Sequence, residues 1–158
     1  MDGGCPCGAV RYRVQRAPMF VNCCHCRQCQ QQAGTAFALN AILESTAVKL
    51  LQGAVEGVKV PARSGIPQTI FRCTACQCAL WSHYRDLAVM SFVRVGTLDD
   101  PDAVPPGAHI YTATKLPWVA LDPQIPAFEG RYDRDTLWPA DSLARFWAVL
   151  GQSPPQKG

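Results

Sequence analysis

Apolar and polar positions alternate over short stretches of this chain, and the period is two far more often than 3.6. Val10, Tyr12 and Val14 are interleaved with Ala9, Arg11 and Arg13, which places three apolar side chains on one face of a half-buried strand. Residues 19–21, 36–39, 48–51 and 69–71 read as further strands, and the apolar run 87–93 is predicted to be a central one. Gly53, Gly57, Gly65 and Gly96 fall at turn-like intervals between them. A mainly β domain is the expectation. From Asp99 the composition changes to a polar, proline-bearing connection, followed by residues 109–112 and 116–118 and an irregular stretch through Pro123 and Pro126. Period 3.6 appears once: Leu143, Phe146, Trp147 and Leu150 fall at i, i+3, i+4 and i+7, with Asp141 or Ser142 as the predicted cap. The chain reads as one domain over 1–150 with a disordered tail at 151–158, and without an internal repeat.

Composition alters this picture through one residue type. The 158 residues are 48% hydrophobic and 17% charged, ordinary for a globular core, but they include nine cysteines. The N-terminal residues show no basic and then apolar leader, and no apolar stretch is long enough to span a membrane. A cytoplasmic location is therefore expected. In a reducing compartment, clustered cysteines serve as metal ligands or reactive thiols, and an odd count would not close a disulfide framework.

The cysteines fall into three groups: Cys5 and Cys7; Cys23, Cys24, Cys26 and Cys29; Cys73, Cys76 and Cys78. Thiolates two or three residues apart on a turn can share one zinc ion. Four such ligands close a structural site, whereas three leave the open corner that chemistry needs. Spacing does not pair the groups. Cys5 and Cys7 could join Cys73 and Cys76, or the middle group, and Cys73 and Cys76 could join two of the middle group. An iron redox centre fits less well, because the early pair is C-x-C and the middle group offers three ligands.

The opening run Gly3, Gly4, Cys5, Pro6, Cys7, Gly8, Ala9, Val10, Arg11, Tyr12 resembles that of the glutathione-dependent formaldehyde-activating enzyme family, also called the centromere protein V/GFA domain family. Cys24, His25, Cys26 and Cys29 with Ala33 and Gly34, then Phe71, Arg72, Cys73 and Cys76, continue the resemblance in order. His109 to Thr112, Leu116 to Trp118 and Leu121 to Pro126 extend it, so that it covers about 3–130. It implies a β-tent of two small antiparallel sheets clamped by a four-cysteine zinc site, here with one C-terminal helix. It implies two zinc ions per chain: a structural one on Cys5, Cys7, Cys73 and Cys76, and a catalytic one on Cys24, Cys26 and Cys29. The implied activity is of the carbon–sulfur lyase class, joining a small thiol such as glutathione to a small aldehyde as S-hydroxymethylglutathione or a related adduct. The metal would hold the thiol as thiolate or act on the aldehyde oxygen. A non-catalytic zinc-stabilised binding module is the competing expectation.

Seven thiolates and two zinc ions would cancel the formal charge of +3, so bulk charge points to no anionic partner. No run of Lys or Arg suggests nucleic acid, and no membrane partner is expected. Where the family usually carries Gly after the late cysteine pair, this chain has Gln77, in a position suited to a left-handed turn. Cys78 is expected to be a buried filler. Cys23 should face away from Cys24, as neighbours in a strand do; either one completing the second site would close it. His25 is expected beside the trio as a supporting or surface residue, Arg27 on the surface or against a ligand carboxylate, and Trp118 either buried or walling a thiol pocket.

Overall fold

In a computed structural model, residues 1–62, 65–85 and 87–152 are described. Ten strands dominate: β1 (Asp2–Gly4), β2 (Arg11–Val14), β3 (Phe20–Cys24), β4 (Ala38–Glu44), β5 (Val48–Gln52), β6 (Val55–Val60), β7 (Gln68–Cys73), β8 (Ala79–Tyr84), β9 (Met90–Arg94) and β10 (Ala108–Ile110). Three α-helices accompany them, α1 (Arg27–Ala33), α2 (Arg134–Leu137) and α3 (Ala140–Val149). The strands form two sheets, β1-β2-β5 and β10-β3-β4-β9-β8-β7-β6. All pairings between named strands are antiparallel except β10 on β3. The mainly β, two-sheet fold is the expected one, with unequal sheets.

The large sheet is buried on both faces in its middle, and β4 shows how. Ala41 and Leu43 point into the main core, where Val10, Tyr12 and Val14 of the small sheet meet Leu80, Trp81 and Val93. Ile42 points the other way, into a second core with Met19, Met90, Trp138 and Phe146. Such a strand reads as continuously apolar, with helix and loop covering what the small sheet does not. Glu44, at the end of β4, accepts from Arg145 Nε at 2.8 Å and Nη2 at 2.7 Å, and from Arg16 at 3.1 Å, tying α3 to the sheet.

Three local expectations are corrected. The central strand spans Met90–Arg94, fourth of seven, because Leu87 and Val89 lie in an exposed turn closed by Met90 N donating to Leu87 O at 3.2 Å. Helix α3 begins at Ala140, not at Asp141 or Ser142: extended Pro139 precedes it, its carbonyl accepts from Leu143 N, and Ser142 is buried. Gly57 sits inside β6 instead of a turn, close against Thr69 and Phe71 of β7. Of the tail expected at 151–158, residues 153–158 lie outside the described residues.

Candidate metal centres

Two cysteine clusters are assembled by different means. Cys5 and Cys7 lie in the turn joining β1 to β2, on the small sheet; Cys73 ends β7 and Cys76 follows in the next turn, on the large sheet. Their sulfurs all lie within 4.8 Å of one another, so this cluster spans the two sheets. Cys5–Cys7 and Cys7–Cys73 separations of 3.3 and 3.9 Å bracket the edge of about 3.8 Å expected when sulfurs sit at ~2.3 Å around a tetrahedral zinc. The donors fit the ion. Val10 N donates to Cys5 Sγ at 3.2 Å, and that hydrogen bond with its neighbouring thiols pulls Cys5 down to about 6 against the opposing effect of burial. Gln77 occupies the left-handed region at φ 60°, as the turn position predicts, and its N–H closes the turn on Cys73 O at 2.9 Å. Cys78 belongs to neither cluster and packs on the main core.

The second cluster is local. Cys24 ends β3, Cys26 caps α1, and Cys29 sits in its first turn. The three sulfurs converge within 4.8 Å. Cys26 is extended (φ −66°, ψ 149°) and its sulfur accepts from Cys29 N at 3.4 Å, where the helix N-terminus favours negative charge. Its thiol is pulled far down, first by Cys24 and then by Cys29, while Cys24 is pushed up by Cys26 and then Cys29. Three sulfurs this close can ionise together only around a cation. The buried Gln30 side chain sets the loop by donating to His25 O at 2.7 Å and to Thr114 O at 2.9 Å. Tyr111, packed on the cluster, takes a left-handed conformation at φ 57°.

Beside the trio lies a cavity of about 360 Å³. Ile110 and Tyr132 belong to both, and Asn22, Arg131, Asp133 and Arg134 supply polar walls. Tyr132 donates to Asn22 Oδ1 at 2.8 Å and accepts from Trp138 Nε1 at 2.8 Å, which fixes that wall. The fold matches a crystal structure of a Rhodobacter sphaeroides protein at TM-score 0.50 and 17% identity, over 80% of this chain and 99% of that one. In sequence, residues 1–114 match the family described as glutathione-dependent formaldehyde-activating enzyme. The chain belongs to that family. A curated relative from Halomonas elongata, provisionally named a glutathione-dependent formaldehyde-activating enzyme, is 26% identical over 96% of both chains.

The seven cysteines singled out in the sequence of this formaldehyde-activating family member lie in two groups whose sulfurs converge within 4.8 Å. His25 departs from expectation. It is fully buried and points away from the trio, because alternation along the chain sends it to the side of Cys23. Trp118 is 74% exposed and, with Arg27 and Gln30 of α1, lines a second cavity of about 430 Å³ against the helix that carries Cys29. Arg27 bonds to Gln30 Oε1 within the helix. Two neighbours of the trio were not anticipated. Tyr84 brings its hydroxyl within 4.0 Å of Cys29 Sγ, and burial raises its phenol. Arg94, about nine-tenths buried in β9, bonds to Asn40 Oδ1 and Ser82 Oγ, and its charge reaches Cys29. A strand arginine flanked by apolar residues was the available signal.

Proposed function

We propose that this protein joins a small thiol, glutathione in the family's case, to formaldehyde as S-hydroxymethylglutathione, a carbon–sulfur lyase-class activity in the reverse direction. The observation that carries the reading is the trio itself: three converging thiols, without a fourth donor in the group among the described residues, packed with Ile110 and Tyr132, which also line a cavity with cationic walls. Cys24, Cys26 and Cys29 would hold one zinc ion, and Cys5, Cys7, Cys73 and Cys76 another. The latter clamps two sheets and serves the fold; metal binding of the order of 10 kcal/mol exceeds the cost of closing the long loop between them. Zinc at the trio would supply a coordination position that holds an incoming thiol as thiolate near neutral pH.

Everything else falls to the chain. Glutathione carries two carboxylates and one ammonium, and the cavity offers Arg131 and Arg134 for the former and Asp133 for the latter. Asn22 and Tyr132 are oriented by hydrogen bonds to face the same space. In the addition, the thiol proton leaves, sulfur forms a bond to the formaldehyde carbon, and the former carbonyl oxygen takes up a proton. Tyr84 and Tyr111, whose phenols burial raises, remain neutral beside the trio and can donate. The cytoplasm, where glutathione is abundant and thiols stay reduced, suits nine unbridged cysteines.

The test is exchange NMR with carbon-13 formaldehyde and glutathione. The zinc-loaded protein should speed adduct formation and breakdown, and Cys26→Ser should lose that effect while remaining folded. Equal rates with and without protein, together with a metal centre indifferent to glutathione, would refute the enzymatic reading and leave a zinc-stabilised binding module.

A further inference from the structure

The alternation that aims Cys24 and Cys26 at one face of the chain sends Cys23 and His25 to the other, where they meet His109. Cys23 Sγ lies 3.6 Å from His25 Nε2, and that nitrogen lies 3.0 Å from His109 Nδ1. All three side chains are buried, His25 completely. We propose that Cys23, His25 and His109 form a third metal site, for a zinc-class divalent ion, on the opposite side of β3 from the trio.

Donor chemistry and geometry both support it. One thiolate with two imidazoles is a mixed sulfur–nitrogen set that zinc accepts. With sulfur at ~2.3 Å and nitrogen at ~2.0 Å from a tetrahedral ion, a sulfur–nitrogen edge is about 3.5 Å, close to that found, and a nitrogen–nitrogen edge about 3.3 Å. The imidazoles need to part by only about 0.3 Å to accept an ion. Without one, His25 Nε2 is shared between the Cys23 thiol and His109 Nδ1. His25 Nδ1 finds no partner among the described residues, so hydrogen bonding elsewhere does not explain why an imidazole is buried here.

The donors are also held in place before any ion arrives. His109 and Cys23 are direct register partners in the parallel β10–β3 pairing. His25 N donates to Ile110 O at 2.9 Å, and His109 is fixed by Pro126 O and Phe128 N at 2.8 and 2.9 Å. The Cys23 thiolate would offset one of the two positive charges, and the charge of Asp122 reaches His109. An ion here would staple β10, a three-residue strand, to the strand end from which the trio begins. The assignment is independent of the thiol–aldehyde chemistry, because its test reads metal and not turnover.

Zinc X-ray absorption on the saturated, full-length protein gives the decisive reading, since neither thiolate cluster contains a histidine. Imidazole outer-shell scattering, with about three zinc ions per chain by elemental analysis, is the expected result. His109→Ala and the near-isosteric Cys23→Ser should each lower the content to about two and remove or weaken the imidazole signal. Should either variant fail to fold, the wild-type spectrum still decides. A zinc spectrum without imidazole scattering at saturation, or variants with unchanged metal content and spectra, would overturn the assignment.

Discussion

Replacing Arg94 with methionine roughly keeps the length of the side chain and removes one positive charge from the side of the sheet that carries the trio. Its bonding partners, Asn40 and Ser82, are neutral, and no carboxylate pairs with it among the described residues. Three thiolates around a divalent ion leave a net charge of one negative unit, which Arg94 balances. A unit pair at 4 Å is worth about 4 kcal/mol at an effective permittivity near 20, and less with distance. Arg94 acts on Cys29 more weakly than do Cys24 and Cys26, which makes about 1–3 kcal/mol reasonable, or about 5- to 150-fold in zinc affinity at that site. The substitution also strands Asn40 Oδ1, costing the fold about 1–3 kcal/mol, so unfolding must be followed in parallel. Chelator competition on the folded protein should show release from the trio eased by that factor, release from the four-cysteine site unchanged, and Arg94→Lys recovering most of the loss. An unmoved trio, or both sites weakened equally, would refute the charge-balance argument.

Two further substitutions probe the frame. Hydrogen bonding to Arg145 holds the Glu44 carboxyl below its ordinary value of 4.5. The stabilisation is therefore fully present above that value and fades as pH falls through the lower folded one. Glu44→Gln should cost about 1.5–3 kcal/mol at neutral pH and flatten the acid limb of stability, measured by urea unfolding between pH 3 and 7; an unchanged acid limb would count against the pairing. Gln77→Gly should relieve a left-handed residue worth about 1–2 kcal/mol, less the entropy glycine adds to the unfolded chain. A net gain of about 0.5–1 kcal/mol is expected from denaturant midpoints, and a loss would mean that the weak 3.4 Å bond from its amide to Thr74 O matters more than the strain.

What the sequence could reveal depended on how local each feature is. Val10, Tyr12 and Val14 announced β2 because alternation is written within five residues, and all three are buried as a set. The closeness of Cys24, Cys26 and Cys29 was readable for the same reason, but their standing as a separate trio came from the resemblance, and the helix α1 that Cys26 caps and Cys29 joins is too short to show a period. The pairing of Cys5 and Cys7 with Cys73 and Cys76 was not in the spacing; resemblance to a family supplied it, and the convergence of sulfurs agrees. His109 meeting Cys23 could not be foreseen, since it requires two short strands to pair in parallel although the imidazoles lie 84 positions apart in sequence. Arg94 was missed because a charge in a strand ordinarily marks the solvent face, and here that face is covered.

The strands β3, β4 and β9 explain why one small domain can keep support and chemistry apart. Their alternate residues face two different interiors. Val21, Ala41, Leu43 and Val93 join the small sheet in the core beside the four-cysteine clamp. Asn22 and Ile42 face the cavity, Cys24 the trio, and Arg94 the buried polar contact with Asn40 that lies between them. A one-residue slip in register would exchange these sets, moving apolar side chains into the cavity and the trio's first ligand into the core. A metal clamp would thus do more than stabilise: by fixing the small sheet over one face, it would determine which face remains for the thiolates. Loss of the clamp should consequently abolish metal binding at the trio even though the two clusters share no ligand.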